Sequence, residues 1–143
     1  RVTQLFLNTL HMLTRDDKSP ELTTLIFEIR LMSLIGYAPY VYGCIICDNN
    51  DLKNMSFSYE KCGFICDRDT CSAQDRQAVK MLPGTVKALS HIVNAGMKDL
   101  FSFSISLEVL DELKSISHRY LRERLEKNYQ KLDYLKYLDN EKM

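Results

Sequence analysis

Cys44, Cys47, Cys62, Cys66 and Cys71 are the only cysteines of this 143-residue chain, and all five fall within the stretch CIICDNNDLKNMSFSYEKCGFICDRDTC. Cys44-Ile45-Ile46-Cys47 has the two-residue spacing of a zinc knuckle, in which the turn between the cysteines points both sulfurs at one ion. A second pair must come from Cys62, Cys66 and Cys71. Four residues separate Cys66 from Cys71, within the range of structural sites, and three separate Cys62 from Cys66. Four thiolates complete the tetrahedral shell of Zn2+ and leave no position for water, so such a site is structural rather than catalytic. It would contribute on the order of 10 kcal/mol to folding, and a hairpin this small buries too little apolar area to hold itself together. The alternative is a set of buried or incidental thiols. The hairpin between the pairs favours Cys44, Cys47, Cys66 and Cys71 as ligands, with Cys62 spare.

The cysteine count is odd and no secretory signal is read, which argues against a disulfide framework and for a reducing, cytoplasmic setting. The chain is 45% hydrophobic and 27% charged, ordinary for a globular protein and long enough for one domain with its own core. Lys+Arg and Asp+Glu both number 19, so net charge points to no nucleic-acid or membrane partner and any basic surface is local. The longest uncharged run, residues 31–47, contains Gly36, Pro39 and Gly43, a poor match to a bilayer span.

The elements that must position the cysteines are mainly helical. Val2, Leu5, Phe6, Leu10 and Leu13 recur at helical spacing. Ser19-Pro20-Glu21 reads as a helix start, with Ser19 accepting a free N–H and Pro20 spending none. Leu22, Leu25, Ile26, Ile29 and Met32 form its buried stripe, Gly36 caps it and Pro39 prevents resumption. From Tyr40 to Cys71 the helical period disappears. Met55-Ser56-Phe57-Ser58-Tyr59 alternates as a strand, Glu60 to Gly63 turns the chain, and Phe64-Ile65 returns it. A helix capped by Ser72-Ala73-Gln74-Asp75 and closed by Pro83 is expected next. Another carries Val86, Leu89 and Val93 to Gly96, and a long one runs from about Ser106 to about Asn128. A last short helix at 129–138 is expected to pack back on the body. The fold class is therefore mainly α: one helical domain over 1–143 with a small zinc-knuckle β-hairpin insertion at about 40–71.

Between Lys114 and Lys136 seven basic residues face three acidic ones. Arg119, Arg122, Arg124, Lys127 and Lys131 are candidates to contact DNA or a protein partner, and Arg124, Lys127 and Lys131 share one helical face. The bland alternative is a solvated face with Glu123 and Lys127 as an ordinary i,i+4 pair. Arg30 would pair with a partner's carboxylate or inside the fold. Tyr129, Tyr134 and Tyr137 would stack on bases or pack in the core. His11, His91 and His118 make no catalytic arrangement, and neither a phosphate-cradling glycine loop nor a nucleophile motif is present. No enzyme and no small-molecule substrate are expected.

Phe27-Glu28-Ile29-Arg30-Leu31-Met32-Ser33-Leu34-Ile35-Gly36-Tyr37-Ala38-Pro39 followed by Cys44-x-x-Cys47 resembles the RecO recombination-repair family. An aromatic–serine strand, a glycine pair and a second knuckle follow in that family; their counterparts here are Phe57-Ser58, Cys62-Gly63 and Cys66…Cys71. The chain departs from the pattern at Cys62, where the family has glycine, and in the longer second knuckle. The resemblance implies a non-catalytic mediator of recombinational repair in the bacterial cytosol or nucleoid. It implies docking to the C-terminal tail of the single-stranded DNA-binding protein SSB and to RecR, with auxiliary DNA contact. The family also has an N-terminal oligonucleotide-binding barrel; nothing before residue 40 reads as strands, so that barrel is expected to be absent here. The alternative readings are a zinc-dependent nucleic-acid-binding regulator and a purely structural adaptor. The first is disfavoured because Lys53, Lys61 and Arg68 are outnumbered on the hairpin by Asp48, Asp51, Glu60, Asp67 and Asp69.

Overall fold

The computed structural model describes residues 1–141, without the side chains at positions 128, 129, 131 and 139–141. Helix α1 (Val2–Leu13) leads into α2 (Pro20–Leu34). Strands β1 (Ser56–Ser58) and β2 (Gly63–Ile65) follow, then a one-turn helix α3 (Asp69–Ser72) and strand β3 (Val79–Lys80). Helices α4 (Pro83–Asn94) and α5 (Leu107–Glu141) complete the described residues.

Helix α2 forms as its sequence dictates. The Ser19 side chain accepts the Leu22 N–H at 3.3 Å, Pro20 occupies the first turn, and Leu22, Leu25, Ile26, Ile29 and Met32 are all buried. At its end Gly36 adopts φ +97°, and the Tyr37 N–H returns to the Met32 carbonyl at 2.9 Å. This left-handed turn is the one glycine enters without a side-chain penalty. In α1 the buried positions are Leu5, Thr9 and Met12, while Val2, Phe6, Leu10 and Leu13 of the expected apolar stripe remain exposed.

Two expected elements are overturned. Residues 72–82 do not form a helix. The chain leaves α3 after one turn, Asp75 accepts the Gln77 N–H at 3.0 Å and the Ser58 hydroxyl, and β3 then pairs antiparallel with β1, Val79 opposite Phe57. Local capping signals thus lose to hydrogen bonding on an otherwise unpaired strand edge. Pro83 opens α4 instead of closing a helix; Glu112 of α5 accepts the Leu82 N–H just ahead of it at 2.7 Å. The insertion is accordingly a three-stranded sheet in the order β2-β1-β3. The separate last helix is also absent: α5 continues for 35 residues without a break, roughly 50 Å at the rise of an α-helix. Tyr134 and Tyr137, read as possible core residues, are exposed; the side chain of Tyr129 lies outside the description.

The sheet is joined to the helices through aromatic packing. Phe57 of β1 is fully buried and meets Tyr120 of α5 edge-on, ring centroids 5.6 Å apart. The Tyr120 hydroxyl donates to the Tyr37 carbonyl at 2.9 Å, tying α5 to the segment that leaves α2 for the first knuckle. Burial pushes the Tyr120 phenol up to about 12. Among the described residues, no helix is long and apolar enough to cross a membrane.

Candidate metal centre

The first knuckle is a closed loop. The Cys44 N–H donates to the Asn49 carbonyl at 2.9 Å and the Asp48 N–H to the Cys44 carbonyl at 2.8 Å. Asp48 takes φ 63° to close it, and the Tyr40 hydroxyl donates to the Asp48 carboxylate at 2.6 Å. Gly43 has no room for a side chain, since a Cβ there would stand 2.6 Å from the Asn49 carbonyl oxygen. The loop is stitched to β2 by the Ile45 N–H, which donates to the Phe64 carbonyl at 2.8 Å.

Strand β2 then delivers Cys66, and α3 delivers Cys71. Because α3 follows at once, the Cys71 and Ser72 N–H groups both return to the Arg68 carbonyl, at 3.0 and 2.8 Å. The four-residue spacing that distinguishes this knuckle from the first is thereby taken up by a helical turn, which brings Cys71 back beside Cys66. The sulfurs of Cys44, Cys47, Cys66 and Cys71 all lie within 4.8 Å of one another. Cys47 and Cys66 are 3.7 Å apart. A tetrahedron of thiolates at the usual zinc–sulfur distance of about 2.3 Å has edges of about 3.8 Å, so the spacing fits a metal, whereas a disulfide needs about 2.05 Å. All five cysteines are free thiols.

The surroundings set the thiols apart. Burial raises Cys44, but N–H groups of Cys47, Cys66 and Ile46 directed at its sulfur outweigh that and bring it down to about 6. Burial raises Cys66, opposed in part by the Arg68 N–H. Burial and the neighbouring thiols together push Cys71 up to about 12. Both knuckles therefore aim the N–H two residues after their first cysteine at its sulfur: Ile46 at Cys44, Arg68 at Cys66. Neutral thiols crowded this way gain little from one another; a divalent cation among them would hold all four as thiolates. Cys44, Cys66 and Cys71 are buried, and Cys47 faces solvent. Cys62 stands outside the group, its thiol directed at the Tyr59 carbonyl at 3.6 Å.

The basic candidates are not brought to the cysteines. Arg30 is engaged inside the fold: one guanidinium nitrogen donates to the Ile92 and Val93 carbonyls of α4 at 3.1 and 3.0 Å. Of the two readings of Arg30 the structure has the one inside the fold, with backbone carbonyls of the last turn of a neighbouring helix as acceptors in place of a carboxylate. Arg119 lies over the Tyr59 ring at 3.9 Å and donates to Glu123 at 3.1 Å, so Glu123 pairs with Arg119 and not with Lys127. Arg124 reaches over the Tyr120 ring at 5.8 Å. Arg122 and Lys127 are exposed, and the side chain of Lys131 lies outside the description. His118 meets Glu28 at 3.1 Å and Lys114 meets Glu21 at 2.9 Å, linking α5 to α2.

Residues 3–133 match the family described as "Recombination protein O C terminal". The chain belongs to the RecO family. It is 51% identical over 139 residues to the DNA repair protein RecO of Acetivibrio thermocellus, covering 97% of this chain and 55% of that one. The corresponding proteins of Dehalococcoides mccartyi and Caldicellulosiruptor bescii are 31% and 26% identical, with 94% and 96% of this chain and 52% and 54% of theirs covered. The chain thus spans about half the length of these RecO relatives. No solved structure matches it. Within this RecO chain Cys62 adopts φ 62°, a conformation that favours glycine, so this turn position is one where a cysteine is strained and a glycine would not be. The adjoining Gly63 is required in its own right: a Cβ there would meet the Tyr40 carbonyl oxygen at 2.7 Å.

Proposed function

We propose that this chain is the helical scaffold and docking portion of a non-catalytic mediator of recombinational DNA repair in the bacterial cytosol, stapled by one structural zinc ion. The observation that carries the reading is the family match over residues 3–133, which takes in both knuckles and most of α5. Cys44, Cys47, Cys66 and Cys71 are the proposed ligands. A bound zinc would supply a four-point cross-link and no chemistry on a substrate. The chain's own residues do the positioning: Gly43 and Asp48 close the first loop, Arg68 and α3 close the second, and Phe57 fixes the sheet against α5.

The proposed partners are the acidic C-terminal tail of SSB, RecR and, in an auxiliary role, DNA. Arg122, Arg124, Lys127 and Lys131 are the proposed cationic contacts, with Arg119 at their margin. Arg30 is left out of this set because its guanidinium is engaged on α4. The test is a fluorescence titration of the folded, zinc-loaded chain with the C-terminal peptide of SSB, beside a control peptide lacking the terminal phenylalanine. Saturable binding that the control loses supports the docking role. No binding to either peptide by folded protein would remove SSB from the proposal, and the same experiment with RecR would then decide whether any docking role stands.

A further inference from the structure

Helix α5 is two different helices in one. Up to Tyr120 it contributes Leu110, Leu113, Ile116 and Tyr120 to the core. Leu121, Glu123 and Arg124 are half-buried, and from Leu125 to Tyr137 every described side chain is exposed. The second half nevertheless carries leucines. Leu125, Leu132 and Leu135 are exposed at 53%, 52% and 49%, and with Leu121 they fall on one face at successive steps of four, seven and three residues. That is a 3.5-residue seam, the pattern by which one helix packs along another. A solvated helix has no use for it, and exposed leucines repeated along one face in this way mark a contact.

The residues beside the seam name the partner's charge. On the heptad, Arg122 and Lys136 flank one side of the leucines and Arg124 the other, and Lys127 lies further out on the side of Arg124. Of the acidic residues, Glu123 lies opposite the seam, and Glu126 and Asp133 lie outside Arg122 and Lys136, as far out as Lys127 does on the other side. A second copy of the chain would set these cations against their own counterparts whether the helices ran parallel or antiparallel, which is destabilising. We infer that the projecting half of α5 is an arm that docks an amphipathic helix of another protein, one with aliphatic residues on its contact face and Asp or Glu beside them. This deepens the docking role proposed above and rests on it for the arm having a partner; an SSB tail would test that role, whereas a model helix tests the arm alone.

The experiment uses the full chain and three labelled probes followed by fluorescence anisotropy. One is a three-heptad synthetic peptide with leucine along its seam and glutamate on both flanks, self-repelling and so monomeric. The second has the same seam with lysine flanks, and the third is a single-stranded oligodeoxynucleotide. The acidic helix is expected to bind at least tenfold more tightly than the basic one. Leu125→Gln with Leu132→Gln should reduce that binding at least tenfold while leaving the melting of the body unchanged, since both side chains are exposed and glutamine keeps the helix. Arg124→Glu with Lys127→Glu should reverse the preference between the two helices. Equal binding of both, or no binding of either, overturns the inference. So does binding of the oligonucleotide alone, or a concentration-dependent dimer in sedimentation that the leucine pair of substitutions dissolves. If the SSB peptide fails but the acidic helix binds, the arm stands and the SSB assignment falls.

Discussion

Replacing Arg30 separates a structural role from a binding one. Arg30→Ala removes two bonds to the Ile92 and Val93 carbonyls, at 3.1 and 3.0 Å. A hydrogen bond to a charged group contributes about 1.5–3 kcal/mol. Both bonds share one nitrogen and the side chain is half-buried, so the released carbonyls regain some water and the two do not add in full. The expected loss is about 2–3 kcal/mol, or about 6–15 °C in Tm at roughly 3–5 °C per kcal/mol for a chain of this length. Arg30→Lys keeps a charge near the end of α4, but the shorter side chain holds its ammonium short of the position of Nη1, and it should recover less than half. Thermal and urea unfolding of both variants, followed by circular dichroism, give the numbers. If Arg30→Ala melts with the parent while binding to DNA or to the SSB peptide falls, the assignment of Arg30 to the fold is refuted.

Cys71→Ser should weaken zinc binding by about two to three orders of magnitude in competition with a chromophoric chelator, one quarter of the roughly 10–16 kcal/mol typical of four-ligand structural sites; Cys62→Ser should leave it unchanged. Zinc affinity should rise with pH and be lost on acidification, because the ligands bind metal only as thiolates. At pH 7 Cys44, brought down to about 6, is largely ionised, whereas Cys66 and Cys71, both raised, still carry their protons. Calorimetry in buffers of different ionisation enthalpy should therefore register at least two protons released per zinc. Gly63→Ala places a Cβ 2.7 Å from the Tyr40 carbonyl oxygen and should cost about 1–3 kcal/mol in urea unfolding; an unchanged midpoint would mean that β2 shifts freely.

The parts of the fold that were legible were those governed by local rules. Ser19, Pro20 and Gly36 punctuate α2, and its apolar stripe is buried residue for residue. Alternation at 55–59 and the turn at 60–63 place β1 and β2 correctly. Spacing left Cys62, Cys66 and Cys71 open as the second pair; the hairpin favoured Cys66 and Cys71, whose sulfurs do lie with those of Cys44 and Cys47, although Cys71 comes to Cys66 by way of a helical turn and not a second tight knuckle. Long-range interactions were not legible. Residues 79–80 became a strand because β1 offered an unpaired edge, and Asp75 was drawn to Ser58 at a separation of 17 residues. Arg30 found its carbonyls 62 and 63 residues away. The supposed break near residue 129 had neither proline nor glycine to make it, and α5 ran on. That absence was the signal available in the sequence.

Metal content and thiol reactivity, measured on one sample of the chain purified without added metal, test the four-cysteine centre most directly. Cys47 is the decisive residue, since it is exposed and only an ion would shield it. The prediction is one zinc per chain, with an alkylating reagent modifying Cys62 alone in the native protein and Cys47 joining it once a chelator has removed the metal. Folded protein without zinc, or zinc-loaded protein in which Cys47 or Cys71 is alkylated as fast as Cys62, would contradict it.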